Sequence, residues 1–220
     1  PRAPTLDCWA RILGRFYNSY GQRIAPRVAR LSLGELGMTE QLQPTSVALN
    51  RLVVVGLGLI GASTAKAARD RGLCRQVIGI SRRDSTLEIA LQQGVIDRAE
   101  TSLESLAAEL GHGDMVLIGV PTLTVAEVLA DCSKWLSDQV TVTDVASVKG
   151  NVVEMARAIY GEIPPQLVPG HPIAGSEKSG VNAAQGDLFV DHRVILTPTQ
   201  QTGDEHLQRG RRRPHHRRLV

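Results

Sequence analysis

Residues 52–61 read LVVVGLGLIG, an apolar, β-branched run followed by three spaced glycines. Consecutive apolar residues that end in glycine predict a strand buried on both faces of a parallel sheet. Helical spacing of small and apolar residues then covers residues 59–71, and Gly72 closes the predicted helix. A strand, a G-x-G-x-x-G turn and a helix in this order predict a dinucleotide-binding site.

Each residue of the turn has a predicted task in holding the cofactor. Gly56 permits the tight turn, Gly58 lets the backbone approach a pyrophosphate at the helix amino end, and Gly61 lets the helix pack on the strand. Leu59 and Ile60 lie between these glycines and complete the predicted cofactor-binding residues of this turn.

Strands alternate with helices after this stretch. Such alternation predicts parallel β-α-β units and an α/β fold with a doubly wound, Rossmann-type sheet. The further predicted strands cover residues 76–80, 115–120, 140–143, 166–168 and 193–197. The further predicted helices cover residues 84–93, 102–110, 125–136 and 148–160.

The end of the second strand bears on the choice of nucleotide. An enzyme that reads an unmodified ribose usually has an acidic residue there, but this chain has Ser81, Arg82 and Arg83. A serine can donate to a phosphate, and guanidinium groups pair with phosphate in a bidentate manner. The sequence therefore favours NADP, with NAD as the alternative. Pro121, which ends the third strand, is the remaining predicted cofactor-binding residue.

Two loops follow later strands at the edge where doubly wound sheets bind ligands. Residues 143–150 read TDVASVKG, and residues 169–180 read PGHPIAGSEKSG. His171 is flanked by glycine and proline on the second loop. A histidine on a loop that faces a nucleotide crevice indicates a working residue more often than a structural one.

Together with VILTP at residues 194–198, these loops resemble the prephenate/arogenate (cyclohexadienyl) dehydrogenases of tyrosine biosynthesis. The resemblance covers about residues 51–199, the nucleotide-binding domain. It implies that His171 hydrogen-bonds the ring hydroxyl of the substrate as the catalytic histidine. It also implies that Ser147 holds the same hydroxyl and orients the histidine, and that Glu177 lies near the substrate entrance.

The resemblance implies a reaction and an assembly. The reaction is the NAD(P)-dependent oxidative decarboxylation of prephenate or arogenate, which yields 4-hydroxyphenylpyruvate or tyrosine. Family members form homodimers through a helical domain that follows the Ile-Leu-Thr-Pro strand. Nothing after Pro198 resembles that domain. The sequence therefore predicts that the dimerisation domain is absent or truncated, and it leaves the activity of this chain alone open.

Basic residues are concentrated at the two ends of the chain. The net charge is +3, but residues 1–37 and 200–220 are each strongly basic, whereas residues 38–199 carry net negative charge. The overall charge is therefore a weak argument for nucleic-acid binding. One alternative function stays open: a non-catalytic dinucleotide-binding module, or an inactive fragment, whose basic tail contacts nucleic acid.

This charge pattern and the motifs divide the chain into four parts. Residues 1–37 are predicted to be an extension outside the functional domain, with an organelle transit peptide as the less favoured interpretation. Residues 38–50 form a lead-in, and residues 51–199 form the dinucleotide-binding domain. Residues 200–220 are predicted to be a disordered, low-complexity basic tail.

Hydropathy and cysteine content exclude several other classes of protein. No apolar run reaches the ~20 residues that a membrane-spanning helix needs. The three cysteines are odd in number and form no C-x-x-C pair, which disfavours a disulfide scaffold and a metal site. A reducing compartment, the cytoplasm, is the predicted location.

Overall fold

The computed structural model describes residues 16–18, 23–24 and 49–207. Most of the predicted extension and lead-in lies outside the described residues, as does the arginine-rich part of the predicted tail after residue 207.

Ten strands and five α-helices follow one another along the described chain. The strands are β1 (Phe16–Asn18), β2 (Arg23–Ile24), β3 (Leu49–Val55), β4 (Cys74–Ile80), β5 (Arg98–Glu100), β6 (Met115–Ile118), β7 (Thr141–Asp144), β8 (Leu167–Val168), β9 (Gly170–Ile173) and β10 (Arg193–Leu196). The α-helices are α1 (Leu59–Asp70), α2 (Asp84–Gln92), α3 (Val125–Trp135), α4 (Lys149–Tyr160) and α5 (Asp204–Leu207). Short 3₁₀ turns occur at Glu104–Leu106, Thr122–Thr124 and Val181–Ala183.

Six strands form one parallel sheet in the spatial order β5-β4-β3-β6-β7-β8. Counted along the chain within this sheet, the order is 3-2-1-4-5-6, which is that of the doubly wound Rossmann fold. The predicted fold class is therefore confirmed. The strand order reverses between β3 and β6, and a ligand crevice forms at such a reversal, beyond the carboxyl ends of the strands.

Strand β3 is buried on both faces because helices cover both sides of the sheet. Leu52 and Val54 belong to the core cluster on the side of α1 and α2, and Val53 and Val55 belong to the cluster on the side of α3 and α4. Each fully buried Val or Leu side chain stabilises the fold by roughly 1.5–3 kcal/mol. This two-sided burial explains why the strand reads as an unbroken apolar run.

A second, small sheet has the order β2-β1-β10-β9. Strand β9 pairs antiparallel with β10, so that His171 lies opposite Ile195, and β1 pairs parallel with β10. The prediction that residues 169–180 form a loop is therefore wrong at its start, because Gly170–Ile173 is a strand. Its Gly-His-Pro-Ile sequence lacks strand periodicity, and long-range pairing with β10 determines its conformation.

The predicted helix over residues 102–110 is also wrong, since only a 3₁₀ turn forms there. Arg98 of β5 donates to the Glu109 carboxylate at 2.9 Å and draws this segment back towards the sheet. The single Ser105 O–H is within hydrogen-bond distance of two acceptors, the Glu100 carboxylate at 2.7 Å and the Ser102 carbonyl at 2.9 Å. Such side-chain bonds compete with a regular helix.

Residues 200–207 differ from the expected disordered tail. Thr202 is buried and its hydroxyl donates to the Leu167 carbonyl at 3.2 Å. His206 of α5 is also buried, and its Nδ1 lies 2.8 Å from the Thr141 hydroxyl at the start of β7. This segment therefore packs on the main sheet, although its sequence shows no apolar periodicity. Within the described ranges, no helix is long and apolar enough to cross a membrane.

Candidate active site

The glycine turn after β3 combines two closed positions with one open position. Gly56 has φ +96°, and a Cβ there would lie 2.8 Å from the Gly119 backbone. A Cβ on Gly61 would lie 2.2 Å from the Gly56 carbonyl oxygen. A Cβ on Gly58 would meet nothing within 4 Å. The turn therefore needs Gly56 and Gly61 for its own packing, whereas Gly58 borders open space that a ligand can occupy.

The amino end of α1 suits an anion at this open space. Gly58 is the N-cap residue, it provides no side-chain hydrogen bond, and the first turn contains no acidic residue. The N–H groups of this first turn therefore retain their partial positive charge. Leu59 and Ile60 pack partly against the core, which holds the first turn in place. These features fit the pyrophosphate of a dinucleotide.

Backbone hydrogen bonds bring the ends of neighbouring strands to this turn. The Gly56 N–H donates to the Ile80 carbonyl at 2.9 Å, which places Ser81 next to the turn. The Gly119 N–H donates to the Val55 carbonyl at 2.7 Å on the other side. Pro121 opens the 3₁₀ turn after β6, at the same edge of the sheet.

Ser81, Arg82 and Arg83 lie at the carboxyl end of β4. The Ser81 hydroxyl accepts from the Arg83 N–H at 3.2 Å, which stabilises the turn that leads into α2. Both arginine side chains are exposed. Their guanidinium groups are thus accessible beside the glycine turn.

A buried carboxylate organises the end of β7. Asp144 is fully buried, and its Oδ2 accepts from the Ala146 N–H at 2.9 Å and from the Lys149 ammonium. Its Oδ1 accepts from the Gly170 N–H at 3.2 Å. The Lys149 ammonium also donates to the Gly170 carbonyl at 2.6 Å. The loop that holds Ser147 is thereby joined to the strand that holds His171.

Burial and ion pairing act in opposite directions on this pair. Burial raises the pKa of Asp144, and the charge of Lys149 opposes that rise. Burial likewise lowers the pKa of Lys149, and the charge of Asp144 opposes that decrease. The Asp144 carboxylate accepts three hydrogen bonds and the Lys149 ammonium donates two, and these bonds favour the ionised form of each group.

His171 is half-buried on β9 and is poised to be neutral. Burial lowers its pKa, and the charge of Lys149 lowers it further, whereas Asp144 and the nearby Val145 carbonyl raise it. Its Nδ1 is buried without a hydrogen-bond partner among the described residues. A neutral imidazole can accept a proton.

Two other predicted site residues are exposed. Ser147 lies between β7 and α4, directly after the anchored Ala146. Glu177 lies in the exposed stretch 175–180 that follows β9, where the Lys178 N–H donates to the Ser176 hydroxyl at 3.1 Å. The structure thus brings the Ser147 loop and His171 to one edge of the sheet.

Sequence analysis did not single out Asp144, Lys149 or Gly119. The signal for the first two was present, because an aspartate that ends a buried strand needs a partner, and a lysine follows five residues later. Gly119 gave no local signal. A Cβ there would lie 2.8 Å from the Gly56 carbonyl oxygen, a contact that only the folded sheet creates.

A family model described as the prephenate dehydrogenase nucleotide-binding domain matches residues 64–212. The prephenate dehydrogenase of Bacillus subtilis is 39% identical over 154 residues, which are 69% of this chain and 40% of that protein. The cyclohexadienyl dehydrogenase of Zymomonas mobilis is 31% identical over 152 residues, which are 69% of this chain and 50% of that protein.

Solved structures of similar proteins lead to the same family. The prephenate dehydrogenase of A. aeolicus, in complex with hydroxyphenyl propionate and NAD+, has a TM-score of 0.66 and 35% identity, and the match covers 74% of this chain and 55% of that one. The arogenate dehydrogenase of Synechocystis has a TM-score of 0.63 and 36% identity, with 71% and 53% covered. The chain thus spans about half the length of the relatives it matches. It belongs to the prephenate dehydrogenase family, and the match lies in the nucleotide-binding domain.

Proposed function

We propose that this chain is the dinucleotide-binding and proton-accepting part of an oxidoreductase that oxidatively decarboxylates prephenate or arogenate. The proposal rests on one observation: Asp144 and Lys149 join the Ser147 loop to the strand that holds His171. This joined pair lies at the same sheet edge as the open glycine turn. In support, a related enzyme of known structure binds hydroxyphenyl propionate and NAD+.

The residues present fit a nicotinamide dinucleotide. In this proposal Gly56, Gly58 and Gly61 hold the pyrophosphate at the α1 amino end, together with the backbone of Leu59 and Ile60. Pro121 lines the crevice from the β6 side. When bound, the nicotinamide supplies the hydride acceptor of the reaction.

His171 takes the proton. In this proposal the ring hydroxyl would become acidic as the ring gives up hydride and CO₂, and the His171 imidazole would accept its proton. Ser147 orients the same hydroxyl towards the imidazole. The immediate products are an aromatic phenolate, CO₂, the reduced cofactor and a protonated histidine, which then returns its proton to the phenolate oxygen. Glu177 is proposed to interact with the substrate at the entrance.

The proposed cofactor is NADP in preference to NAD. Arg82 and Arg83 are exposed at the end of β4, where a 2′-phosphate would lie, and no carboxylate precedes them on that strand end. Both guanidinium groups are exposed, and neither forms an ion pair with another of residues 49–207. A phosphate could therefore bind both without breaking a contact.

We expect the double variant Arg82→Ala/Arg83→Ala to weaken NADP binding at least tenfold more than NAD binding. Each lost charge-assisted phosphate contact is worth roughly 1.5–3 kcal/mol, and NAD lacks that phosphate. Calorimetric titration with both nucleotides measures the difference. Arg75→Ala, another exposed arginine on β4, serves as the matched control and should leave both affinities unchanged. Equal losses for the two nucleotides would refute the assignment of NADP.

An assay of coupled cofactor reduction and CO₂ release tests the function itself. We expect reduced cofactor to accumulate only when prephenate or arogenate is present, and the comparison of the two substrates reveals the preferred side chain. The alternative function, a dinucleotide-binding module with a nucleic-acid-contacting tail, predicts salt-dependent DNA binding that is lost when residues 208–220 are deleted. DNA binding of that kind without cofactor reduction would overturn the proposal.

The assembly and location of the enzyme belong to the same proposal. The family resemblance implies a homodimer formed through a helical domain that is not recognisable in this chain, and we propose neither a membrane nor a nucleic acid as partner. Cys74 and Cys132 are free thiols, and burial raises the pKa of each to about 12, so neither is a reactive thiolate. Unpaired, unreactive thiols support the proposed cytoplasmic location.

A further inference from the structure

We propose that Asp144 and Lys149 are positioning residues, whose buried ion pair holds the Ser147 loop against β9 and thereby sets the place of His171 in the site. This inference rests on the proposed function, because it assigns the pair to the geometry of the proposed proton transfer.

Asp144 and Lys149 both bind the backbone of Gly170, the residue of β9 that precedes His171. Gly170 donates its N–H to Asp144 Oδ1 at 3.2 Å and accepts from the Lys149 ammonium at its carbonyl at 2.6 Å. Both polar groups of this residue are therefore held by the pair and not by a neighbouring strand of the main sheet. Because His171 follows directly, these two bonds, together with the pairing of β9 with β10, fix the backbone that carries it.

The same pair closes the Ser147 loop. Asp144 ends β7 and Lys149 begins α4, so their ion pair joins the two ends of the loop. The Ala146 N–H donates to Asp144 at 2.9 Å and anchors the residue before Ser147. Ser147 is exposed, yet Ala146 before it and Lys149 two residues after it are both bonded to the buried Asp144 carboxylate.

Close packing leaves little room for β9 to shift. A Cβ on Gly170 would lie 3.0 Å from the Asp144 carbonyl oxygen and 3.3 Å from the Thr143 hydroxyl. The strand therefore approaches β7 as nearly as its backbone allows. A misplacement of about 1 Å can reduce a rate about 10²-fold. The close contact between β9 and β7 therefore helps to fix the distance between His171 on β9 and Ser147 in the loop after β7.

Burying an ion pair costs desolvation free energy, so we expect its charges to have a role in the site besides holding two segments together. Replacing a buried pair by well-packed apolar residues is often neutral or stabilising. Here the charged groups that act on the His171 imidazole are Lys149, which favours its neutral form, and Asp144, which favours its protonated form. The pair therefore both positions the histidine and biases its protonation.

The first experiment follows the His171 imidazole by NMR as pH varies, in the chain without substrate, with His171→Asn used to assign the signal. We expect Lys149→Met to move the titration midpoint to higher pH, because a positive charge is lost. We expect Asp144→Asn to move it to lower pH, because a negative charge is lost. Simple loosening of the site would move both midpoints upward, since exposure removes the effect of burial.

The second experiment measures kcat and cofactor affinity in a form of the enzyme that is shown to be active. We expect Lys149→Met to lower kcat about tenfold or more with cofactor affinity nearly unchanged, and Lys149→Arg to recover part of the loss. Arg157→Met is the matched control, because Arg157 forms an exposed ion pair with Glu154 on the same helix. This control should change neither quantity.

The double variant Asp144→Asn/Lys149→Met covers the case in which a single variant fails to fold, because it leaves no unpaired buried charge. A reduced kcat in the folded double variant supports the positioning role. Parental kcat in that variant, or midpoints that shift in the same direction in both single variants, would overturn it. Nucleotide binding and substrate-dependent turnover of the parent test the proposed function separately, so its failure is distinguishable.

Discussion

Replacing His171 with asparagine is expected to lower turnover by about 10²–10⁴, the usual contribution of general acid–base catalysis. Asparagine keeps a polar group on β9 but cannot accept the proton of the ring hydroxyl. The measurement is kcat for prephenate or arogenate in a form of the enzyme that is shown to be active. Cofactor affinity should stay within about twofold, because the imidazole lies on β9 and the pyrophosphate site lies at α1.

Ser147→Ala provides the graded comparison for this experiment. It should reduce kcat less than His171→Asn does, because the serine orients the hydroxyl and does not take up its charge. The parent should also lose kcat/KM as pH falls through the His171 pKa, which burial and Lys149 hold below the ordinary imidazole value. A His171→Asn enzyme with parental kcat, or a parental profile without this acidic limb, would contradict the assignment of the proton acceptor.

Gly58→Val is expected to abolish dinucleotide binding while the domain remains folded. The position borders open space, so the isopropyl group fits the protein but occupies the place that the pyrophosphate requires. Calorimetric titration with NADP and NAD measures the loss, and thermal unfolding measures the stability. A smaller change, Gly58→Ala, should weaken binding without abolishing it.

Gly61→Val is the matched variant in the same turn. Its Cβ would lie 2.2 Å from the Gly56 carbonyl oxygen, so helix α1 would have to move away from β3 and the domain should lose much of its stability. The two substitutions thus separate a binding defect from a folding defect. Near-native nucleotide affinity in Gly58→Val would refute the proposed role of the turn.

The parallel sheet and the glycine turn could be predicted because their signals are local. Within residues 52–61, the apolar run indicates that β3 is buried, and the spaced glycines after it indicate that the helix and a ligand approach the backbone closely. The predicted closure of α1 by Gly72 is confirmed, since this residue has φ +59° and follows the last helical turn. Prediction succeeded where neighbouring residues alone determine the backbone.

The small sheet and the Asp144–Lys149 pair could not be predicted in the same way. Strand β9 forms because Gly170–Ile173 pairs with β10 some twenty residues later, and no pattern within Gly-His-Pro-Ile indicates that pairing. The carboxylate at the end of β7 and the ammonium at the start of α4 were visible, but their shared partner Gly170 is remote in sequence. Long-range contacts decide both features, and single-sequence patterns carry little of that information.

The pairing of β1 with β10 has a consequence for the order in which the parts of a newly synthesised chain fold. All six strands of the main sheet have been made once Val168 is joined to the chain, whereas the small sheet must wait for β10 and close a loop that spans most of the protein. We therefore expect the nucleotide turn to be structured before His171 is held in register. If dinucleotide binds at this stage, it should stabilise the partly folded chain, and we expect added cofactor to speed refolding before it takes part in chemistry.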